Sequence, residues 1–161
     1  MKVSLLSILA ALPLLIAGPA LASPPPGVTP PPITILKSSS PKVAKGLIFI
    51  GPKAAGLGTG GAPGPIGPEI IDNQGRPIWF NPITNGQSAT DFRVQQYRGR
   101  PVLTWSQSAG IGGLAVGQTV DYILDTHYQT IRTVVAGNGL DADSHEFRIT
   151  PYNTALITIY N

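Results

Sequence analysis

The sequence contains no cysteine, so disulfide bonds and thiolate metal sites are excluded and the fold must be stabilised by packing. Charged residues are also scarce, at 12% of the chain, and the net charge is only +3. No run of lysines or arginines is interleaved with aromatic residues, so we expect no nucleic-acid partner. The 17 prolines and 19 glycines among 161 residues argue against long helices and indicate short strands, turns and loops.

The N-terminus has the three parts of a secretory signal peptide. Lys2 supplies a positive charge, Val3 to Ala17 is an uncharged apolar run, and Ala20-Leu21-Ala22 fits the small-x-small cleavage pattern. We therefore predict that residues 1–22 are removed on export; an uncleaved N-terminal anchor is the alternative. The apolar run is shorter than the roughly 20 residues of a membrane span, and no later segment is apolar enough for one. We expect a secreted protein, extracellular or periplasmic, without a membrane span after cleavage.

The next part of the chain is rich in proline and glycine. Residues 23–32 (SPPPGVTPPP) are predicted to form an extended polyproline-type leader, and residues 33–68 to contain two short strands and a Gly/Pro loop. The two predicted strands are Ile33–Leu36 and Gly46–Ile50. A G-x-G-x-x-G spacing begins at Gly56, but the APGP that follows it cannot begin the helix that a dinucleotide site requires. We therefore expect no cofactor.

From Glu69 to the last residue the sequence consists of two similar units. EIIDNQGRPIWF in the first unit matches YILDTHYQTIRTV in the second at an offset of 53 residues. DFRVQQY matches EFRITPY at an offset of 55, and PVLTW matches ALITI at an offset of 54. Three blocks in the same order at nearly one offset indicate an internal repeat, with units at residues 69–106 and 120–160 of a region that spans 69–161.

Each unit is predicted to form four short strands connected by turns. A repeat of about 50 residues with four strands is typical of a β-propeller blade. We therefore predict an all-β fold, a partial β-propeller of about two four-stranded blades preceded by short N-terminal strands. The predicted strands are 69–72, 76–80, 90–97 and 101–106 in the first unit, and 120–125, 129–135, 144–150 and 155–160 in the second.

The two histidines of the sequence differ in their setting. His127 stands where the first unit has its Asp-Asn-Gln-Gly turn, so we interpret it as a solvent-exposed turn residue. His145 stands at the entrance of a predicted strand, and its counterpart at the 55-residue offset is Thr90, although the residues that follow match closely. A histidine that departs from a repeated scaffold indicates either a functional site or a strand cap, and the repeat alone does not decide between them.

Charged residues accompany His145 in the sequence. Asp141 and Asp143 follow an Asn-Gly pair and are interpreted as turn residues, because this acidic cluster lacks the ligand pattern of a calcium or zinc site. Arg148 and its counterpart Arg93 are predicted to lie on the charged faces of their strands. A guanidinium close to an imidazole would also bind sulfate or phosphate, which makes Arg148 a candidate substrate-binding residue.

Four segments, GLIFIGPK, GPEIIDNQGRPIWF, ATDFRVQQYRGRPVLTW and AGNGLDADSHEFRITPYNTALITIYN, together resemble the N-terminal part of the secreted arylsulfotransferase family. The resemblance runs from about Pro32 to Asn161. It implies an exported β-propeller protein that transfers a sulfuryl group between phenols without a nucleotide sulfate donor. The family uses a histidine nucleophile, together with further histidines and an arginine that bind the sulfate oxygens. The motif histidine that this sequence shares is His145, in the H-E-F triplet, and the resemblance makes it a candidate catalytic residue that contacts the sulfate.

The resemblance also implies an incomplete site. Family members continue through several more blades with further histidines that this sequence lacks, and one histidine cannot act as nucleophile, acid–base group and oxyanion clamp together. We therefore expect a fragment, a truncated product or an inactive remnant, whose partners when active would be small-molecule phenols or aryl sulfates. The alternative is a non-catalytic secreted β-repeat module that binds a partner, or itself, through open edge strands.

Overall fold

The structure is a computed structural model that describes residues 28–36, 43–52, 65–84, 86–111 and 114–159. The predicted signal peptide, half of the proline-rich leader and most of the Gly/Pro loop lie outside these residues. Within them, no helix is long and apolar enough to cross a membrane.

The described residues form nine strands and no helix, arranged in three antiparallel sheets, so the all-β prediction is confirmed. The first sheet has the strand order β1-β2-β3, the second β4-β5-β6-β7 and the third β8-β9. The strands are β1 (Ile48–Ile50), β2 (Glu69–Ile71), β3 (Pro77–Phe80), β4 (Gln87–Tyr97), β5 (Arg100–Ile111), β6 (Leu114–Leu124), β7 (Thr130–Val134), β8 (Ala142–Ile149) and β9 (Ala155–Ile159).

All eight strands predicted for the two units are present, and Gly46–Ile50 supplies β1. The strand predicted at Ile33–Leu36 is wrong, because within the described residues this segment is not a strand and pairs with none. Its side chains instead contact the turn between β2 and β3: a Cβ built on Gly75 would lie 3.3 Å from the Ile35 side chain.

The boundaries between the sheets do not coincide with the boundaries between the repeated units, but are shifted by two strands. The four-stranded sheet combines the second half of the first unit (β4 and β5) with the first half of the second unit (β6 and β7). The segment between the units is the reason, because it extends β5 and β6 into one long hairpin whose last pair is Ile111 with Leu114. The repeat predicted the strands, and this connecting segment decides which of them share a sheet.

Equivalent residues of the two units fill the two spaces between successive sheets. One hydrophobic cluster lies between the first and second sheets and the other between the second and third. Ile70, Phe92 and Leu103 in the first cluster correspond to Ile123, Phe147 and Ile157 in the second. The internal repeat is therefore a repeat of packing as well as of sequence, and the middle sheet is covered on both faces.

The turns that follow β2 and β6 are also equivalent. Asp72 and Asp125 begin them, and in both turns the carboxylate Oδ1 accepts hydrogen bonds from the amides two and four residues later, at 2.8–3.0 Å. Both turns need a residue at positive φ, which is Gly75 at 77° in the first and Tyr128 at 62° in the second. Tyr128 tolerates this conformation while its ring stacks on Trp79, with 5.1 Å between the ring centroids.

Candidate functional site

Strand β8 carries His145 and is attached to β4 by side chains on both sides of that histidine. The Thr90 hydroxyl donates a hydrogen bond to the Ser144 carbonyl, one residue before it. The Phe147 amide donates to Asp91 Oδ2 at 2.9 Å, two residues after it. His145 therefore lies on a backbone segment that is held at two points against the middle sheet.

Gln95 extends this attachment. Its side-chain nitrogen donates to the Phe147 carbonyl at 3.0 Å and to the Thr104 hydroxyl at 2.8 Å, and its side-chain oxygen accepts the Ile149 amide at 2.8 Å. A side-chain amide thus replaces a peptide group in joining β8 to the middle sheet. Sequence reasoning missed this residue, because nothing in a strand of alternating residues marks one glutamine as a bridge to a distant strand.

Asp91 reaches β8 because β4 is irregular at this point. The pairing of β4 with β5 shifts between Thr90 and Arg93, and Asp91 has a φ of +53°, which aspartate adopts more readily than most residues. The buried Asp91 carboxylate also forms an ion pair with the Arg93 guanidinium. Burial lowers the pKa of Arg93, and the nearby positive charge of Arg148 lowers it further, so the two equivalent arginines are neighbours.

His145 forms a pair with Asp143. Its Nδ1 lies 2.6 and 2.8 Å from the two carboxylate oxygens of Asp143. The Asp143 side chain is only 2% exposed, whereas the imidazole is 63% exposed. Because an ionised carboxylate can only accept hydrogen bonds, Nδ1 carries the proton in this pair and Nε2 is left as the second ring nitrogen. A buried carboxylate that orients an exposed imidazole is the arrangement found in nucleophilic and acid–base sites.

The interpretation of Asp143 as a turn residue is wrong. The turn is formed by Asn138 and Gly139, at φ values of 57° and 73°, and Asp143 lies inside β8. The spacing of Asp143 and His145 was the signal that could have identified the pair, since residues i and i+2 of a strand lie on one face. Asp141 lies between that turn and β8 and is exposed, so the prediction of a turn residue is wrong for it as well.

Arg148 has a different partner from His145. Its Nε donates to Glu146 Oε1 at 2.8 Å, and both side chains are about half exposed. This hydrogen bond is the main cause that lowers the pKa of Glu146. Among the described residues no hydrogen bond or ion pair joins Arg148 to His145, so the structure gives each its own carboxylate partner. The substrate-binding role of Arg148 stays a prediction.

A buried polar group lies within the middle sheet, on the neighbouring strands β5 and β6. The Ser106 hydroxyl donates to Asp121 Oδ1 at 2.5 Å, and Asp121 is 1% exposed. Within the described part of the chain, Asp121 Oδ2 and the Thr119 hydroxyl have no hydrogen-bond partner. Burial raises the pKa of Asp121 to about 6, although the hydrogen bond from Ser106 acts in the opposite direction.

No metal centre accompanies these side chains within the described ranges, where no group of three or more His, Asp and Glu residues is arranged to hold an ion. No family model, no curated protein and no solved structure matches the chain. Its function is therefore argued from its residues and their geometry.

Proposed function

We propose that the chain is an exported arylsulfotransferase-like protein, built as part of a β-propeller, in which His145 receives a sulfuryl group from an aryl sulfate and passes it to a phenol. The observation that carries this proposal is the pair formed by the exposed His145 imidazole and the buried Asp143 carboxylate. The resemblance of the sequence to the arylsulfotransferase family supplies the reaction class.

We propose a separate task for each member of the pair. Asp143 holds the proton on Nδ1, so the lone pair of the ring is on Nε2, which attacks the sulfur of the aryl sulfate. The N–S bond forms as the bond between sulfur and the aryl oxygen breaks, and the phenolate leaves and takes a proton from solvent. The positive charge that develops on the imidazole is stabilised by the carboxylate. Attack of a second phenol on sulfur then returns His145 to its starting state and releases one proton.

The sulfate oxygens need hydrogen-bond donors, and we propose that Arg148 is one of them. Its Nε is engaged by Glu146, and a guanidinium carries further N–H donors suited to a planar or tetrahedral oxyanion. Arg93 is a neighbour of Arg148, but its charge is paired with the buried carboxylate of Asp91. Stabilising the negative charge on the transferred group is the largest contribution that such donors make to catalysis.

The propeller part of the proposal is supported by the repeated packing. Successive sheets are stacked through equivalent hydrophobic residues at offsets of 53 to 55, which is how the blades of a propeller contact one another. Export is supported by the signal-peptide pattern of residues 1–22.

An activity assay tests the proposal directly. The purified chain is mixed with 4-nitrophenyl sulfate and a phenol acceptor, and release of 4-nitrophenolate is followed by absorbance. We expect His145→Ala to abolish turnover, because the nucleophile is removed. Asp143→Asn should lower kcat at least about 100-fold, because the ring tautomer is no longer fixed.

Asp141→Asn is the matched control, since it removes an exposed carboxylate two residues from Asp143 and outside the pair. It should keep wild-type turnover. Equal turnover by the wild type and His145→Ala would rule out the enzymatic proposal for this chain.

A non-catalytic module that associates with itself is the second candidate, and the exposure of β9 favours it. Within the described residues β9 pairs with β8 alone, and its Leu156 is 61% exposed. An unpaired strand edge with apolar side chains is a template for pairing with a second chain. Light scattering should then show a dimer that Leu156→Lys converts to a monomer, with Arg148→Lys as a control that keeps the charge of β8. A wild-type chain that stays monomeric at the highest soluble concentration contradicts this candidate.

A further inference from the structure

A cavity of about 560 Å³ lies at the end of the middle sheet, between the turn that joins β4 to β5 and the turn that joins β6 to β7. The first turn and the start of β5 contribute Arg98 and Arg100, and the second turn and β7 contribute His127 and Arg132. The volume falls within the roughly 300–1,000 Å³ of small-molecule sites. Neither the sequence pattern nor the proposed reaction assigns a function to this cavity.

The cavity is separate from the His145 site. Strand β8 runs alongside β4, with Ser144 bonded to Thr90 and Asn153, in the turn after β8, bonded to the Arg98 amide. Thr90 lies in β4 and Arg98 directly follows the strand, eight residues later, which corresponds to roughly 25 Å of extended chain. The two sites therefore lie toward opposite ends of the sheet.

Within the described part of the chain, the arginines of the cavity form no ion pair with an acidic residue. The ion pairs formed by the described residues involve other side chains, so Arg98, Arg100 and Arg132 carry uncompensated positive charge. The Arg98 guanidinium lies 5.2 Å from the centroid of the Tyr97 ring, a cation–π contact that orients it. Elsewhere in the described residues Arg76, Arg93 and Arg148 each pair with a carboxylate, which sets this group apart.

Asp125 is the acidic residue that lines the cavity, and its charge is directed into its own turn. Its Oδ1 accepts the His127 and Gln129 amides at 2.8 and 3.0 Å, and its Oδ2 lies 3.7 Å from His127 Nδ1. The hydrogen bond from the Gln129 amide is the main cause that lowers the pKa of this carboxyl. The cavity therefore keeps an excess of positive charge. His127 itself is an exposed turn residue, as the sequence predicted.

The backbone at Arg98 is a second, independent indication of a binding role. Arg98 and Gly99 have φ values of 53° and 72°, which is a type I′ hairpin turn. Asparagine or glycine is favoured at the first position of this turn, so an arginine there departs from that preference. Residues held in such conformations are concentrated at ligand-binding sites.

From these observations we propose that the cavity binds a small organic molecule that carries a phosphate or sulfate ester. Guanidinium groups bind tetrahedral oxyanions through paired N–H donors, and three of them surround the cavity. Pro101, Val102 and Ile131 line the same cavity and provide an apolar surface for the organic part. The proposal does not depend on sulfuryl transfer at His145.

Calorimetric titration of the whole chain with 4-nitrophenyl phosphate, 4-nitrophenyl sulfate and inorganic phosphate tests this site. We expect saturable binding of at least one ester below ~1 mM. Arg98→Asn and Arg132→Gln should each weaken that binding about tenfold, because each removes one charged donor from the anion. Asparagine is also the favoured residue at this position of the turn, so the melting temperature of the Arg98→Asn variant should equal or exceed that of the wild type. A loss of binding in this variant is then not a loss of folding.

Arg76→Gln is the matched control. Arg76 is an exposed arginine at the end of the turn between β2 and β3, which is equivalent to the turn between β6 and β7, and it does not line the cavity. It should bind the ester as the wild type does. Equal losses in all three arginine variants would mean that only the general surface charge attracts the anion, and the proposal would be overturned. Binding that disappears in His145→Ala but survives in Arg98→Asn would overturn it as well, by placing the ligand at the other site. Equal affinity for inorganic phosphate and the esters would overturn the assignment to an organic ligand.

Discussion

Replacing Phe147 with alanine is expected to lower the free energy of unfolding by about 3–5 kcal/mol. Phe147 is 1% exposed and lies at the centre of the cluster that joins the third sheet to the middle sheet, against Val102 and Ile123. Removing the ring leaves a cavity at the contact between two sheets, where few other large side chains are buried. Urea denaturation followed by circular dichroism measures the loss.

The loss should be local before it is global. The third sheet has only two strands, and an isolated two-stranded hairpin is marginally stable in water. Amide exchange in Phe147→Ala should therefore lose protection over residues 142–159 first. Trp79 and Trp105, both buried in the first cluster, should keep their native fluorescence under the same conditions. Since β8 carries the His145–Asp143 pair, any sulfotransferase activity should fall with that protection.

Two variants calibrate this result. Tyr152→Ala removes an aromatic ring that is 87% exposed at the end of the same sheet, and its effect should stay within about 0.5 kcal/mol. Phe92→Ala changes the equivalent residue of the first unit, which contacts Phe49, Trp79 and Trp105, and should alter tryptophan fluorescence instead. If Phe147→Ala were as stable as Tyr152→Ala, the third sheet would not be anchored through this cluster.

The positions of the strands were predictable from the sequence, because they depend on the local pattern of residues. The grouping of the strands into sheets was not predictable. Alternating apolar residues and the two-fold repeat located all eight strands of the repeat. Which strands pair depends on the connecting segment between the units, whose glycines and small residues give little periodic signal in the sequence. The false strand at Ile33–Leu36 has a related cause, since β-branched residues favour a strand but do not supply a partner for it.

In the candidate site, too, the residues that are marked by the local sequence were predictable, and those that depend on contacts between distant strands were not. His145 stood out because it interrupts the repeat, and its counterpart Thr90 proves to be bonded to the residue beside it. Asp143 could have been found from its spacing to His145. Asp91 and Gln95 could not, because their contacts with β8 depend on an irregularity in β4 and join residues more than 50 positions apart in the sequence.

The buried carboxyl of Asp121 is expected to make the protein less stable as the pH rises. Its pKa is about 6 in the folded chain, and an exposed aspartate has a pKa of about 3.9. Between these values the folded state binds more protons than the unfolded state, so the free energy of unfolding falls as the pH increases through this interval. The stabilisation is fully present below about pH 4 and is lost above about pH 6, a difference of up to about 3 kcal/mol.

Asp121→Asn should remove this dependence, because the amide stays neutral at every pH and its oxygen can still accept the hydrogen bond from Ser106. We expect the variant to be more stable than the wild type by about 2–3 kcal/mol at pH 7.5 and nearly equal to it at pH 4, as measured by urea denaturation at each pH. The pKa of the buried Glu69 carboxyl is also raised by burial, and since both proteins contain it, its effect cancels in the comparison. Asp141→Asn, at an exposed position, should follow the wild-type curve. Parallel stability curves for Asp121→Asn and the wild type from pH 4 to pH 7.5 would contradict this prediction, because they would show that Asp121 is charged in the folded protein. Its Oδ2, which has no hydrogen-bond partner among the described residues, would then need a donor that the described strands do not provide.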